Sequence, residues 1–345
     1  MERVVIIFAN RNDVHAVSVA TEVEASLRSR AVILDTADYP AAWSLTHAFG
    51  GGGKTSWSIR GGDWKVTSQQ VAGLWWRRPA RHRIPSEVQE RRARRFCADE
   101  AVAAFRGWLH GLGHQVINPV AAEAAAARKP LQLWAAKEVG LRIPRTLITN
   151  DPEEARAFLS PANGPAIFKV LTGTSWQFTE TRQFNGKYVQ DLQSLRFAPA
   201  IFQELIEAEA DIRATVVDDH VYAAAIRAKR SNARLDWRLD GAAEITKHAL
   251  DRVTCRKLIE LLRRLGLRFG AIDMRLTREG EYIFLEVNPG GQFLFCEIHA
   301  GLPISRAVAE SLLSGEHARR SPVDISASAG RHTRRRTPRK SAEQF

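Results

Sequence analysis

FGAIDMRLTREGEYIFLEVNPGGQ, residues Phe269 to Gln292, is the stretch on which the reading of this chain turns. Two apolar runs, Phe269–Met274 and Tyr282–Val287, flank a turn-rich Thr277–Glu281, the pattern of a β-hairpin. Asp273 falls in the first strand. Glu286 and Asn288 fall at the end of the second, two residues apart and therefore on one face. Strand pairing brings Asp273 beside them. Two carboxylates and an amide oxygen at a strand end suit Mg²⁺, a hard ion that keeps some waters and takes its other ligands from phosphates. Pro289-Gly290-Gly291 then turns the chain away. An acid beside a hairpin is ordinarily just solvated, and Glu-x-Asn alone is a weak signal. The apolar strand around Glu286 and the Asp thirteen residues before it make the trio a candidate metal site.

The flanks alternate strand and helix. Val253–Leu265 is an amphipathic helix, and Asp211–Val217 and Val221–Ile226 pair around Asp218-Asp219. Ala200–Leu205 is a strand ending in Gln203-Glu204. Pro165–Leu171 is a buried strand carrying Lys169, followed by a polar turn through Ser175; Gln177–Phe184 and Tyr188–Val189 suggest a hairpin. Helices cover Ala121–Arg128, Lys129–Val139 (stopped by Gly140) and Pro152–Leu159, with a short strand inside Leu141–Thr149. Residues 2–9, 14–29 and 31–35 open the chain as β-α-β, consistent with an α/β layer. Ala9-Asn10-Arg11-Asn12 stands where a dinucleotide site needs G-x-G-x-x-G, so none is supported.

Gly50-Gly51-Gly52-Gly53-Lys54-Thr55 resembles a phosphate loop, but Ala48 occupies the position of its first Gly. The alternating Ser56–Arg60 and Trp64–Thr67 make it a turn between antiparallel strands. Val71–Trp76 is a further strand. Glu87–Leu112 is helical, with Phe96, Val102, Ala103 and Leu109 on its apolar face. Pro303–Leu313 is the last helix, and from about Glu316 the composition loses periodicity, as in a disordered tail.

A chain of 345 residues, 45% hydrophobic and 26% charged, has the composition of a soluble globular protein of two or three domains. No segment reaches the roughly eighteen unbroken apolar residues of a membrane span, and MERVVIIFANRND reads as a strand rather than a signal peptide. Cys97, Cys255 and Cys296 have no paired spacing, which argues against disulfides and zinc and fits a reducing cytoplasmic setting. The net charge of +12 is concentrated. Residues 77–95 contribute +6 and residues 316–345 contribute +5. The second segment can hold polyanions non-specifically, without any nucleic-acid module to accompany it.

Lys169, followed by a turn of small residues, is suited to nucleotide phosphates, and Lys129 supplies a second positive charge. Gln203-Glu204 offers groups for an adenine edge, and Asp211 is placed to accept from ribose hydroxyls. Each alone is an ordinary surface residue; in this order, ahead of the acidic hairpin, they make one pattern.

That order resembles the ATP-grasp superfamily over roughly residues 117–315. The resemblance implies α/β and α+β architecture: an N-terminal pre-ATP-grasp α/β domain, then a two-lobed ATP-grasp fold. The expected boundaries are 1–120, 121–198 for the lobe with the nucleotide lysines, 199–315 for the lobe with hinge and metal hairpin, and 316–345 for the tail. It implies ATP and two Mg²⁺ as cofactors, with Lys129 and Lys169 on the nucleotide, Gln203, Glu204 and Leu205 as the adenine strand, Asp211 on ribose, and Asp273, Glu286 and Asn288 on metal. LWWRRP at 74–79, Lys129-Pro-Leu-Gln-Leu, Asp211-Ile-Arg, Asp236-Trp-Arg and Glu286-Val-Asn-Pro-Gly-Gly-Gln are similar to the microviridin-type (graspetide) peptide ligases. One departure is the single Gly in the turn after Lys169.

Such a ligase would activate Asp or Glu side chains of a ribosomal precursor peptide, leader plus core, as acyl phosphates and close ω-esters or ω-amides. Arg213, on the face of Asp211, and Arg238 are candidates to stabilise the acyl phosphate, or each forms a salt bridge to a nearby acid. His248 and His299 read as ordinary polar residues. Leader docking is expected at Arg227–Arg238. Arg77–Arg95 would support a homodimer contact or attract an acidic peptide. Two other readings stand beside this one: a ligase adding an amino acid to a peptide or protein, similar to the enzymes that add glutamate to ribosomal protein S6, and a nucleic-acid-binding protein using the tail on an inactive fold.

Overall fold

The computed structural model describes residues 3–25, 29–50, 55–172, 182–185, 188, 190–229, 237 and 241–314. The VVIIF run of β1 (Arg3–Phe8) is buried on both faces, as a central parallel strand requires. It lies between β2 (Ser29–Leu34) and β6 (Val71–Trp76), and β7 (Val116–Ile117) follows β6, all parallel. Helix α1 (Val14–Ala25) ends before Ser29, which begins β2 instead. An antiparallel sheet of β3 (Ser44–Phe49), β4 (Thr55–Gly61) and β5 (Trp64–Thr67) adjoins this layer. Phe49 pairs with Thr55, so the glycine-rich segment joins antiparallel strands; residues 51–54 themselves lie outside the described residues.

Helix α2 (Arg91–Leu112) begins at Glu90, whose carboxylate accepts from the amides of Arg92 and Ala93 at 2.9 and 2.6 Å. Its buried stripe is Ala101, Phe105, Trp108 and Leu109. Of the expected face Leu109 lies in that stripe, whereas Phe96 is 65% and Val102 39% exposed. Trp108 and Phe105 join an aromatic cluster with Phe8, Trp43 and Trp57, and that cluster fixes the helix azimuth.

Helices α3 (Val120–Ala126) and α4 (Lys129–Glu138) lead into a sheet of order β10-β9-β11-β8: β8 (Thr146–Thr149), β9 (Ala166–Lys169), β10 (Arg182–Gln183) and β11 (Ala200–Glu204), with α5 (Pro152–Phe158) between β8 and β9. The expected partner of Gln177–Phe184 was Tyr188–Val189. In the structure β10 pairs with β9; residues 177–181 and 189 lie outside the described residues.

The largest sheet runs β14-β13-β12-β15-β16, entirely antiparallel: β12 (Ala210–Val217), β13 (His220–Arg227), β14 (Glu244–His248), β15 (Phe269–Leu276) and β16 (Tyr282–Asn288). Helix α6 (Arg252–Arg264) precedes β15, and α8 (Ile304–Ser314) is the expected closing helix; α7 (Leu294–Ala300) and the strands β3 and β14 were not anticipated. One face of this sheet, with Ile212, Ala214, Ile272, Met274 and Phe284, packs on Leu258, Leu261 and Leu262 of α6 and Leu133 and Ala136 of α4. From the other face Val217, Ala224 and Phe269 join Val5, Ile7 and Val19 of the N-terminal layer and Ile304, Val308 and Leu312 of α8 in a single core. Gly73 in β6 lets α8 approach: a Cβ there would sit 2.4 Å from the carbonyl oxygen of Leu312. Among the described residues no helix is long and apolar enough to cross a membrane.

Candidate active site

Register builds the site. Across β12, β15 and β16, Arg213 stands opposite Asp273, and Asp273 opposite Glu286; Asn288 faces Ala271, two residues before Asp273. Residues opposite one another on neighbouring strands share a face, so Arg213, Asp273, Glu286 and Asn288 project together. A β-bulge makes this compatible with the core. Met274 pairs with Phe284 and Asp273 with Glu286, so Leu285 is an extra residue in β16. Without it, strict alternation would put Glu286 on the apolar face beside Phe284; with it, Phe284 and Val287 both face the core.

The side chains close on one another. Asn288 Nδ2 lies 3.0 Å from Asp273 Oδ2 and 3.3 Å from Glu286 Oε1, and Arg213 Nε lies 3.1 Å from Asp273 Oδ1. Lys129, at the first turn of α4, donates to Glu286 Oε2. Gln132, one turn further on, locks α4 to β16: its Nε2 donates to Val287 O at 2.8 Å and to Ala126 O at 2.6 Å, and its Oε1 accepts from Val287 N at 2.9 Å. Lys169 arrives from β9 in the facing sheet. Burial pulls its ammonium down to about 8, Glu286 opposes, Lys129 adds to the fall, and Asp273 opposes again. For Glu286, burial alone would raise the carboxyl; the charge and hydrogen bond of Lys129, then Lys169 and Asn288, bring it down to about 2.

These residues fit Mg²⁺. Two carboxylates meet around one amide, and turning that amide end for end would present Oδ1 as a third oxygen without moving the backbone. Among the described residues no three His, Cys, Asp or Glu side chains cluster in a metal-binding group. The third donor is an amide, which favours a hard, partly hydrated ion over zinc. Arg213 Nη1 is buried without a hydrogen-bond partner and its Cζ lies 5.6 Å from the Phe295 ring centroid, so the guanidinium has capacity left for an anion.

The other described sequence-derived candidates lie on or just past β11 and on β12. Gln203 is buried, with Nε2 donating to Thr146 Oγ1 at 3.0 Å and Oε1 without a partner. The amides of Glu204 and Leu205 donate to Arg145 O and Pro165 O at 3.0 and 2.9 Å, so these two backbone donors already have protein partners. Asp211 lies one row beyond Arg213 on the same face, opposite Arg275 and 3.2 Å from its Nε; Arg275 in turn donates to Ile206 O just past β11. Arg238 and the turn at residues 173–175 lie outside the described residues. His248 bonds Tyr282 Oη at 2.8 Å on the sheet's outer strands, and burial together with Arg227 lowers its pKa. Gln132 and Phe295 were missed by sequence reasoning; only the one-turn spacing from Lys129 could have suggested Gln132.

The arginines of residues 77–95 divide between structural positions and the surface, where Arg78, Arg81, Arg83, Arg91, Arg92 and Arg95 are exposed. Arg77 is 1% exposed, and Arg94 donates to the carbonyls of Ile84, Pro85 and Val88. Arg83 pairs with Asp38 at 3.0 Å. The structural share of that charge is Arg77 and Arg94.

The sequence matches the family model of the MvdD pre-ATP-grasp domain over residues 4–124 and that of the RimK-like ATP-grasp domain over residues 124–312. This chain belongs to the RimK-like ATP-grasp family. The ATP-grasp chain is 30% identical to macrocyclase MdnB from Microcystis aeruginosa MRC, with TM-score 0.74, covering 90% of this chain and 99% of that one. It is 29% identical to macrocyclase MdnC of the same organism, solved with precursor peptide MdnA, with TM-score 0.77 and the same coverage of 90% and 99%. A RiPP-associated ATP-grasp ligase of Chryseobacterium gregarium, solved with ADP and a leader and core peptide, shares the fold at 24% identity and TM-score 0.82, over 91% of this chain and 97% of that one. No curated protein sequence matches the ATP-grasp chain.

Proposed function

We propose that this ATP-grasp ligase activates Asp or Glu side chains of a ribosomally made precursor peptide as acyl phosphates and closes ω-ester or ω-amide macrocycles. The observation that carries the reading is the row Arg213, Asp273, Glu286 across three strands, completed by Asn288 and faced by Lys129 and Lys169. Similarity to two macrocyclases at 30% and 29% identity supports the substrate class.

A carboxylate is a poor electrophile. Transfer of the γ-phosphoryl group to its oxygen, with ADP leaving, gives an acyl phosphate; attack by a Thr or Ser hydroxyl or a Lys amine on the acyl carbon then expels phosphate. The peptide loses one water per ring. Asp273, Glu286 and Asn288 would hold Mg²⁺, which when bound neutralises the triphosphate and the developing charge. Lys169 and Lys129 hold phosphate oxygens once the nucleotide displaces the Lys129–Glu286 contact. Arg213, clamped between Asp273 and Phe295, offers N–H groups to the acyl phosphate and to the oxyanion of the tetrahedral intermediate. Arg238 is proposed for the same charge. Gln203, Glu204 and Leu205 would line the adenine and Asp211 the ribose. A hydroxyl nucleophile must lose a proton, and no described histidine adjoins the row. The setting proposed is the cytoplasm, where the three free thiols stay reduced.

The RimK-like match favours one second reading, addition of a free amino acid to a peptide or protein. Mass spectrometry distinguishes them. The enzyme, ATP and Mg²⁺ are incubated with a peptide encoded beside the gene, rich in Thr or Ser and Asp or Glu. Loss of one water per ring from an otherwise intact peptide supports cyclisation; a gain of residue mass when free amino acids are supplied overturns it.

A further inference from the structure

The LWWRRP motif ends β6, in the N-terminal layer, and its two arginines reach the turn that follows the metal hairpin. Arg77 Nη1 donates to Gly290 O at 2.5 Å and to Gly291 O at 3.0 Å, while its Nε lies 3.5 Å from Asp13 Oδ2 and its Cζ 5.8 Å from the Trp75 ring centroid. Arg78 Nε donates to the same Gly290 O at 3.0 Å. Arg78 is exposed and holds φ at 44°, the left-handed region that a non-glycine residue adopts only against a steric cost. Asn118, at the end of the same layer, donates to Pro289 O at 3.1 Å. Three consecutive carbonyls, 289 to 291, are thus gripped by side chains from outside the ATP-grasp hairpin. The turn is also pressed onto β15: a Cβ on Gly291 would lie 2.3 Å from Ala271 Cβ, and Ala271 is the strand partner of Asn288. Gly291 N donates back to Asn288 O at 3.0 Å.

We propose that Arg77 and Arg78 are positioning residues that hold the Gly290-Gly291 turn against β15, keeping Asn288 and Glu286 in line with Asp273 and so setting the affinity of the site for the divalent cation. The inference rests on the metal-site reading above. A displaced turn carries Asn288 with it, because one residue separates them and Pro289 limits the φ freedom between.

The test is Mn²⁺ titration of the full chain with ADP present, following free Mn²⁺ by electron paramagnetic resonance, beside thermal unfolding without nucleotide. Arg78→Gly removes the donor yet suits the left-handed backbone, so its unfolding midpoint is expected to match or exceed that of the parent, while Mn²⁺ binding weakens roughly three- to tenfold. Arg77→Lys, which keeps one charge but loses the forked donor, is expected to weaken Mn²⁺ binding further; should it fail to fold, Arg78→Gly alone decides. Unchanged Mn²⁺ affinity in a folded Arg78→Gly overturns the proposal, since a purely structural arginine would move only the midpoint. Asp273→Asn separates the two layers of argument. If it binds Mn²⁺ like the parent, the metal-site reading itself has failed; if it loses Mn²⁺ while Arg78→Gly does not change, only the positioning role has.

Discussion

If Lys169 holds the nucleotide phosphates as proposed, its titration sets an alkaline limit on their capture. With its pKa lowered by burial to about 8, the ammonium loses its proton as pH rises through that value, and a neutral amine no longer attracts phosphate. The expected result is a kcat/KM for ATP that declines above pH 8, because this ratio reports the free enzyme. In Lys169→Arg the side chain stays charged and that inflection should vanish, measured by ADP release across roughly pH 6.5 to 9.5. Asp273→Asn or Glu286→Gln removes a carboxylate from the row and should lower kcat by roughly 100-fold or more, read by single-turnover phosphate release, with the fold checked by circular dichroism. The convergence of Asp273, Glu286 and Asn288 was legible because strand parity and hairpin pairing are short-range rules. Arg213 was legible for the same reason, two residues from Asp211 on one strand. Gln132, Asn118 and Phe295 were not, because their partners lie far along the chain, and no local period marks a side chain that bonds a distant carbonyl.

At the level of elements, α4 and β16 act as one piece through Gln132, whose amide satisfies both backbone groups of Val287. Gln132→Leu is close in volume but leaves those groups buried and unpaired, at a cost of about 1–3 kcal/mol. It also loosens Lys129 over Glu286. Urea denaturation should show the loss of stability, and steady-state kinetics a raised KM for ATP with kcat less affected. The long strands and helices were readable from periodicity alone. The azimuth of α2 was not: two stripes of its mixed surface offered themselves, and contact with the Phe8–Trp57 cluster, not helix propensity, selected Phe105 and Trp108 over Phe96. The extra residue in β16 was equally hidden, since YIFLEVN carries apolar side chains at successive positions and hides any break in alternation. The short α7 and the edge strands β3 and β14 lack the length for a periodic signal.

For the molecule as a whole, the β-α-β opening and the later antiparallel strands were readable from apolar pattern, while the core they share could not be foreseen from either part. Removing residues 316–345 deletes +5 of the net charge. ATP-dependent ligation is expected to survive and retention on heparin to fall, and loss of ligation instead would assign the tail to the active form. The core that joins β1 and α1 to α8 has a consequence for biosynthesis. Val5, Ile7 and Val19 are covered by Ile304, Val308 and Leu312, and Ser18 Oγ lies 2.7 Å from Ser305 Oγ. A nascent chain therefore leaves the ribosome with its opening layer bare, and must keep that oily surface from other molecules until α8 has been translated.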